Sequence, residues 1–213
     1  MMFDLAAVDP RIGYKLLVST ITPRPIAWVV SQDAAGTLNA APFSFFNAFA
    51  SDPPVVGLGI GRRSSGVSKD TRANIIATGE FVVNLVSEET AAAMNITAID
   101  FNPDVDELAE AGLTTCPSSH VKPPRIAESP VAFECALLQV VELGPSSSLV
   151  LGRVLAVHVR DEAVIDPARG HVDTPSLKLV GRMHGTGWYA RTSDLFEMPR
   201  LSLDEWTRMR DRS

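Results

Sequence analysis

The stretch Gly61 to Ile75, GRRSSGVSKDTRANI, concentrates polar binding chemistry in a chain that is otherwise acidic and apolar. It sets Arg62, Arg63, Lys69 and Arg72 against a single acid, Asp70, and interleaves the hydroxyls of Ser64, Ser65, Ser68 and Thr71. Thr71 to Thr78 reads as a short helix closed by Gly79, so the basic loop opens a helix. The first N–H groups of a helix have no partner within it and the dipole there is positive, which together with cations and hydroxyls makes a phosphate site. The alternative is a solvated basic loop capped by Ser68 or Asp70. Composition leaves both open. A Walker loop is excluded, because Gly61 and Gly66 are followed by Val67 and Ser68.

The apolar run Val55 to Ile60 leads into this loop as a strand. Gly57, Gly59 and Gly61 fall on one of its faces, with Val56, Leu58 and Ile60 on the other. A face without side chains admits either a flat ligand or tightly packed neighbours. No GxSxG elbow is present, and the sequence suggests no Cys–His nucleophile pair. His120, His158, His171 and His184 are not at metal-ligand spacing from one another. His158, in Val157-His158-Val159, reads as a strand histidine with a satisfied ring. His184 stands between Arg182 and Gly185, close to Trp188 and Tyr189, a set that suits an aromatic anionic ligand or packs its rings into a core.

The elements that must position these groups follow from local signals. Asp9-Pro10 starts a helix through about Val18, and Thr22-Pro23-Arg24-Pro25 breaks it and forces extended backbone around Arg24. Pro25 to Ser31 is a strand, Gln32 to Gly36 a turn, and Thr37 to Ala50 a strand again. Glu80 to Val86 is a strand, followed by a helix capped by Ser87. Asp104 with Glu107 reads as a capping box before Leu108 to Ala111, and Pro117 to Pro124 as a loop. Val131 to Leu143 and Ser148 to Asp161 are long strands, apolar on both faces. Asp166 to Ser176 is a loop, Gly187 to Arg191 a strand, and Ser202 with Glu205 caps a last helix. The pattern predicts a mainly β fold, a nearly closed antiparallel barrel with a few peripheral helices. Strands apolar on both sides imply a second buried surface, supplied by a homodimer.

At 213 residues the chain is read as one domain, with a core over about 11–199 and a helix over about 202–211. With 46% hydrophobic and 21% charged residues the bulk of it is not disordered, and a net charge of −6 argues against nucleic acid as a partner. No apolar run approaches the roughly eighteen residues of a spanning helix, and the first residues lack a signal-peptide pattern. No membrane and a cytoplasmic location are expected. Two cysteines without a CxxC pair suggest neither a disulfide framework nor zinc.

The runs Thr22-Pro23-Arg24-Pro25-Ile26-Ala27-Trp28-Val29, Asn39-Ala40-Ala41-Pro42-Phe43-Ser44-Phe45-Phe46-Asn47, Ser51-Asp52-Pro53-Pro54 and Lys69-Asp70-Thr71 with Asn74-Ile75 resemble the flavin reductase-like family of FMN-binding split barrels, which includes the flavoredoxins. Leu151-Gly152-Arg153-Val154 and Gly181-Arg182-Met183-His184-Gly185 fit it as well. The resemblance covers most of residues 11 to 199. It implies an antiparallel Greek-key split barrel, a homodimer, and FMN near the dimer interface. The phosphate is then taken by Arg62, Ser64, Ser65, Lys69, Asp70 and Thr71, and Asn39, Ala41, Pro42, Phe43 and Ser44 border the ribityl chain and ring. Arg24 and Arg182 are the cations expected near ring or phosphate, with Tyr189 beside them and His184 as the candidate catalytic residue.

The implied activity is transfer of hydride from NADH or NADPH to FMN, with the electrons passed to an acceptor such as a monooxygenase. Many relatives of this type carry Asp-His-Thr where this chain has Ser146-Ser147-Ser148. The rival readings are an FMN electron carrier reduced by a protein partner and an oxidase resembling the pyridoxamine-phosphate oxidases.

Overall fold

A computed structural model describes residues 1–61, 69–102 and 105–211. Helix α1 (Pro10–Thr20) begins as its sequence dictates: Pro10 needs no N–H partner at the first position, and the Asp9 carboxylate accepts from the Arg11 N–H. Strands β1 (Ala27–Gln32), β2 (Leu38–Phe43), β3 (Phe46–Ser51) and β4 (Pro54–Gly61) follow, then helix α2 (Asp70–Thr78), which ends on Gly79 at φ 75°. Next come β5 (Glu80–Leu85), α3 (Ala91–Ile96), α4 (Glu107–Glu110) and the small hairpin of β6 (Thr115–Cys116) and β7 (Arg125–Ile126). The long strands β8 (Val131–Glu142) and β9 (Ser147–Val159) precede the short pairs β10 (Val164–Asp166) with β11 (His171–Val172) and β12 (Val180–Arg182) with β13 (Tyr189–Arg191). Helix α5 (Leu203–Arg210) closes the described chain with the expected capping box between Ser202 and Glu205.

Seven strands form one antiparallel sheet in the order β2-β1-β5-β8-β9-β4-β3. Its two edge strands, β2 and β3, are consecutive in the chain and are joined by Ser44 and Phe45 alone. A link that short spans about 11 Å at most, so the sheet has to roll until its edges meet. The Gly59 N–H donates to the Phe45 carbonyl at 2.7 Å on that seam. The result is the split barrel expected from the sequence.

Alternation along β1 and β5 decides the two cores. Ala27, Val29, Phe81 and Val83 point into the barrel with Leu58, Ile60, Val150 and Ile75 of α2. Ile26, Trp28, Val30 and Val82 point outward into a second cluster with Met94, Leu108 and Ile126. The second surface of these strands is therefore covered by α3, α4 and the β6–β7 hairpin of the same chain. Polar ties pin that layer: Trp28 Nε1 donates to Thr97 Oγ1 at 2.9 Å, and the buried Asn84 donates to the Trp28 carbonyl and accepts from the Ile126 N–H. Farther along the sheet, Leu138 and Val157 remain about half exposed, so β8 and β9 keep uncovered apolar surface.

Three local expectations are corrected. Thr37 to Ala50 is two strands, because the barrel seam needs a break at Ser44 and Phe45. The helix after β5 begins at Ala91, since Ser87 is held in a turn by Thr90 Oγ1, which accepts from its N–H. Asp106 caps α4 by accepting from the N–H groups of Leu108 and Ala109, while Asp104 lies outside the described residues and Glu107 reaches instead to β2.

Candidate functional site

The N-terminal end of α2, strand β2 and the segment after α3 enclose a cleft of about 460 Å³. Asn39, Ala41 and Pro42 form its β2 side, Lys69, Asp70 and Thr71 its α2 side, and residues 97–101 with Glu107 the opposite wall. Tyr14 of α1 and Arg182 of β12 close the remaining flank. Its volume is that of a small-molecule site, which runs roughly from 300 to 1,000 Å³.

The floor is a hydrogen-bonded chain across three elements. Asn39 is brought opposite Ser31 by the β1–β2 register. Its Nδ2 donates to Glu107 Oε1 at 2.7 Å, and its Oδ1 accepts from Thr71 Oγ1 at 2.7 Å. Glu107 Oε2 accepts the Ala40 N–H at 3.1 Å. Burial pushes the Glu107 carboxyl above its ordinary value, and the donors from Ala40 and Asn39 pull against that shift.

The head of α2 carries positive charge into the cleft. Its N-cap position holds Lys69, and a lysine ammonium has no lone pair with which to accept from the first-turn N–H groups. Those donors, the positive end of a nine-residue helix and the Lys69 charge converge where α2 lines the cleft. The Lys69 ammonium also lies 5.4 Å from the ring centre of Phe43, so the buried Phe43 supports the cation from below.

Arg182 is fixed from both sides. Its backbone exchanges hydrogen bonds with Arg24, at 3.0 and 2.8 Å, which fastens the β12–β13 hairpin to the barrel. Its guanidinium donates to the carbonyls of Trp188 and Gly185 and stacks over Tyr189 with 4.8 Å to the ring centre.

Seven of the expected residues thus meet at the cleft: Asn39, Ala41, Pro42, Lys69, Asp70, Thr71 and Arg182. Phe43 and Tyr189 back its two cations. Arg24 and Ser44 lie elsewhere. The buried Arg24 guanidinium donates to the carbonyls of Val18, Ile21 and Met183 and to Ser44 Oγ, tying α1, the barrel seam and the hairpin together. Burial, and then the nearby Arg182 charge, pull its pKa below the usual arginine value. His184 sits exposed at the hairpin tip, stacked on Trp188 with 6.0 Å between ring centres, and does not line the cleft. Arg62, Ser64 and Ser65 lie outside the described residues.

The glycine face of β4 is occupied by the protein itself. A Cβ on Gly57 would meet the Phe49 ring at 2.5 Å, and one on Gly59 would meet Phe45 at 2.8 Å. Tight packing of β3 against β4, and not a flat ligand, accounts for those two glycines. Glu107, Tyr14 and residues 97–101 were not among the expected site residues. Glu107 carried the one available signal, read above as a local cap.

In family comparison, the model described as flavin reductase like domain matches residues 19–174. An uncharacterized protein of Deinococcus radiodurans is 44% identical over 96% of this chain and 91% of its own length. The crystal structure of nitrilotriacetate monooxygenase component B from Bacillus cereus is 34% identical, covering 93% of this chain and 98% of that one with a TM-score of 0.87. At 23% identity the fold is shared with a split-barrel protein of Shewanella frigidimarina NCIMB 400, with a TM-score of 0.80 over 94% of this chain and 100% of that one. With its motifs, its rolled seven-stranded sheet and the matched residues in agreement, the chain belongs to the flavin reductase like domain family.

Proposed function

We propose that this protein is an FMN-dependent oxidoreductase that takes hydride from NADH or NADPH and passes the electrons to an acceptor, such as a monooxygenase. The observation that carries the reading is the helix head at Lys69 opening into a cleft with a polar floor, which fits one terminal phosphate and an extended polar chain beyond it. FMN supplies the redox chemistry when bound, so no acid–base pair is required of the protein.

The chain's own groups bind and orient. Lys69 and the first-turn N–H groups of α2 hold the phosphate, and the family resemblance adds Arg62, Ser64 and Ser65 to that set. Asp70, at the head of α2, borders that site. Asn39 and Thr71 meet the polar chain. Ala41 and Pro42 offer a low surface that a ring can approach, and Arg182, stacked on Tyr189, supplies a second cation. Arg24 and Ser44 act at one remove by fixing the hairpin that carries Arg182.

His184 and Trp188 stand at the hairpin tip, where an incoming nicotinamide would pass. His184→Ala is expected to slow single-turnover flavin reduction more than it weakens FMN binding. Measuring both on one variant decides the matter, because a histidine that only packs would release flavin first. Anaerobic rapid mixing with NADH and with NADPH tests the reaction: bleaching of the bound flavin is expected from one or both. Failure with both leaves an FMN electron carrier reduced by a protein partner.

A homodimer completes the reading. Leu138, Val157 and Phe49 remain 52%, 55% and 59% exposed, apolar side chains on β8, β9 and β3 that a second copy would cover. Sedimentation at low micromolar concentration is expected to give a dimer, and a stable FMN-loaded monomer would count against it.

A further inference from the structure

Glu107 stands at the first position of α4, 8% exposed, with both carboxylate oxygens engaged by β2. An ionised carboxylate can only accept, so the Asn39 amide has to turn its NH2 toward Glu107 and its oxygen away. That oxygen takes the Thr71 hydroxyl proton at 2.7 Å. The chain therefore runs one way: Thr71 donates to Asn39, and Asn39 donates to Glu107. The same Asn39 oxygen also accepts from Ser31 Oγ at 3.5 Å, so the groups left for a ligand are the second Asn39 N–H as a donor, whose sense Glu107 sets, and the lone pairs of Thr71 Oγ1 as acceptors. A protonated Glu107 would itself be a donor, and the amide would lose its reason to face that way.

We propose that Glu107 is a positioning residue that fixes the donor sense of Asn39, so that the cleft floor selects a flavin edge or ribityl oxygen that accepts a hydrogen bond, and that protonating Glu107 releases this selection. The proposal rests on the reading of the cleft as a flavin site. Geometry carries it: three elements distant in sequence converge on one amide with no alternative pairing that satisfies the carboxylate and the Ala40 N–H together. Among the described residues, the titratable and charged groups around Glu107 are Glu110 on α4 and Asp106 at its N-cap, Asp33 and Asp70 around an adjoining cavity of about 170 Å³, and Tyr14, Asp100, Lys69 and Arg182 across the cleft. Burial, with a smaller contribution from Asp106, places the protonation above the ordinary glutamate value of 4.5.

Riboflavin is the probe for the test, because the phosphate of FMN titrates near pH 6 by itself. As pH falls and Glu107 protonates, the wild-type Kd for riboflavin is expected to rise roughly three- to tenfold, the worth of one hydrogen bond. Glu107→Gln should give a flat profile. Asn39→Ala, which keeps Glu107, should bind more weakly and also be flat. A slope that persists in Asn39→Ala would mean that Glu107 acts through its charge alone, and it would overturn the proposal.

The sign of the shift also supplies a folding control. A carboxyl raised in the folded state costs stability once ionised, so Glu107→Gln is expected to melt no lower than wild type at neutral pH. If it melts well below, the Asn39→Ala profile decides alone. A flavin-free readout separates the two claims. The side-chain amide resonance of Asn39, followed by NMR before flavin is added, should shift with a midpoint above 4.5. A static resonance overturns the positioning role even where flavin binds. A shifting resonance in a protein that binds neither riboflavin nor FMN supports the positioning role and overturns the flavin reading.

Discussion

Glu134→Leu is expected to cost about 3–5 kcal/mol of folding stability, the usual loss when a buried charged network is broken. Glu134 is fully buried in β8 and accepts three hydrogen bonds: from the N–H groups of Ser119 and His120 at 2.8 and 2.5 Å, and from His158 Nε2 at 2.6 Å. Leucine fills the volume, but it leaves two backbone N–H groups of the loop between β6 and β7 without acceptors. Urea unfolding at neutral pH measures the loss. Since Glu134 does not line the cleft, FMN affinity should be little changed where the variant is folded.

The same residue sets an acid limb. Burial pushes the Glu134 carboxyl up, and the donors from Ser119, His120 and His158 together outweigh it, leaving the group below its ordinary value. A carboxyl lowered by folding contributes stability above its unfolded pKa and loses it as pH falls toward the folded one. Wild-type stability should therefore drop below about pH 4.5, and Glu134→Leu should lack that part of the drop. An unchanged acid limb would show that the network contributes nothing.

Lys69→Ala is expected to weaken FMN binding roughly ten- to a hundredfold while leaving riboflavin nearly unchanged, because a charge-assisted hydrogen bond contributes about 1.5–3 kcal/mol. The two ligands differ only in the phosphate, so the comparison isolates the head of α2. Equal losses for both would move Lys69 from the phosphate to the ring or to the fold, and its contact with Phe43 makes the second a concrete alternative.

What could be read in the sequence was whatever its own neighbours determine. Asp9-Pro10, Gly79 and the Ser202–Glu205 box act over a few residues and appear in the structure where their chemistry puts them. The continuous apolar run Ala27-Trp28-Val29-Val30 likewise marks a strand, which the structure buries on both faces. The break between β2 and β3 was not legible, because nothing in Ser44-Phe45 forbids a continuous strand. Only the rolling of the sheet demands it.

The site divides along the same line. Lys69 and Thr71 stand out because cations and hydroxyls cluster within one loop and helix start. Arg24 was legible as a cation, yet its partners Val18, Ser44 and Met183 lie up to 159 residues away and turn it into a structural tie. Glu107 was read through its local spacing as a cap, although its partner is Asn39, 68 residues upstream. Gly57 and Gly59 showed a face without side chains, and whether a ligand or Phe49 and Phe45 filled it depended on the register of β3 against β4.

The central claim is that the cleft at the head of α2 is the flavin site, and a crystal structure of the protein saturated with FMN tests it most directly. The expected result is flavin density in the cleft, its phosphate at the α2 N-terminus beside Lys69 and its polar chain along Asn39 and Thr71. Density in the neighbouring apolar pocket lined by Leu17, Ile21, Phe45 and Phe46, or a phosphate away from α2, would contradict it.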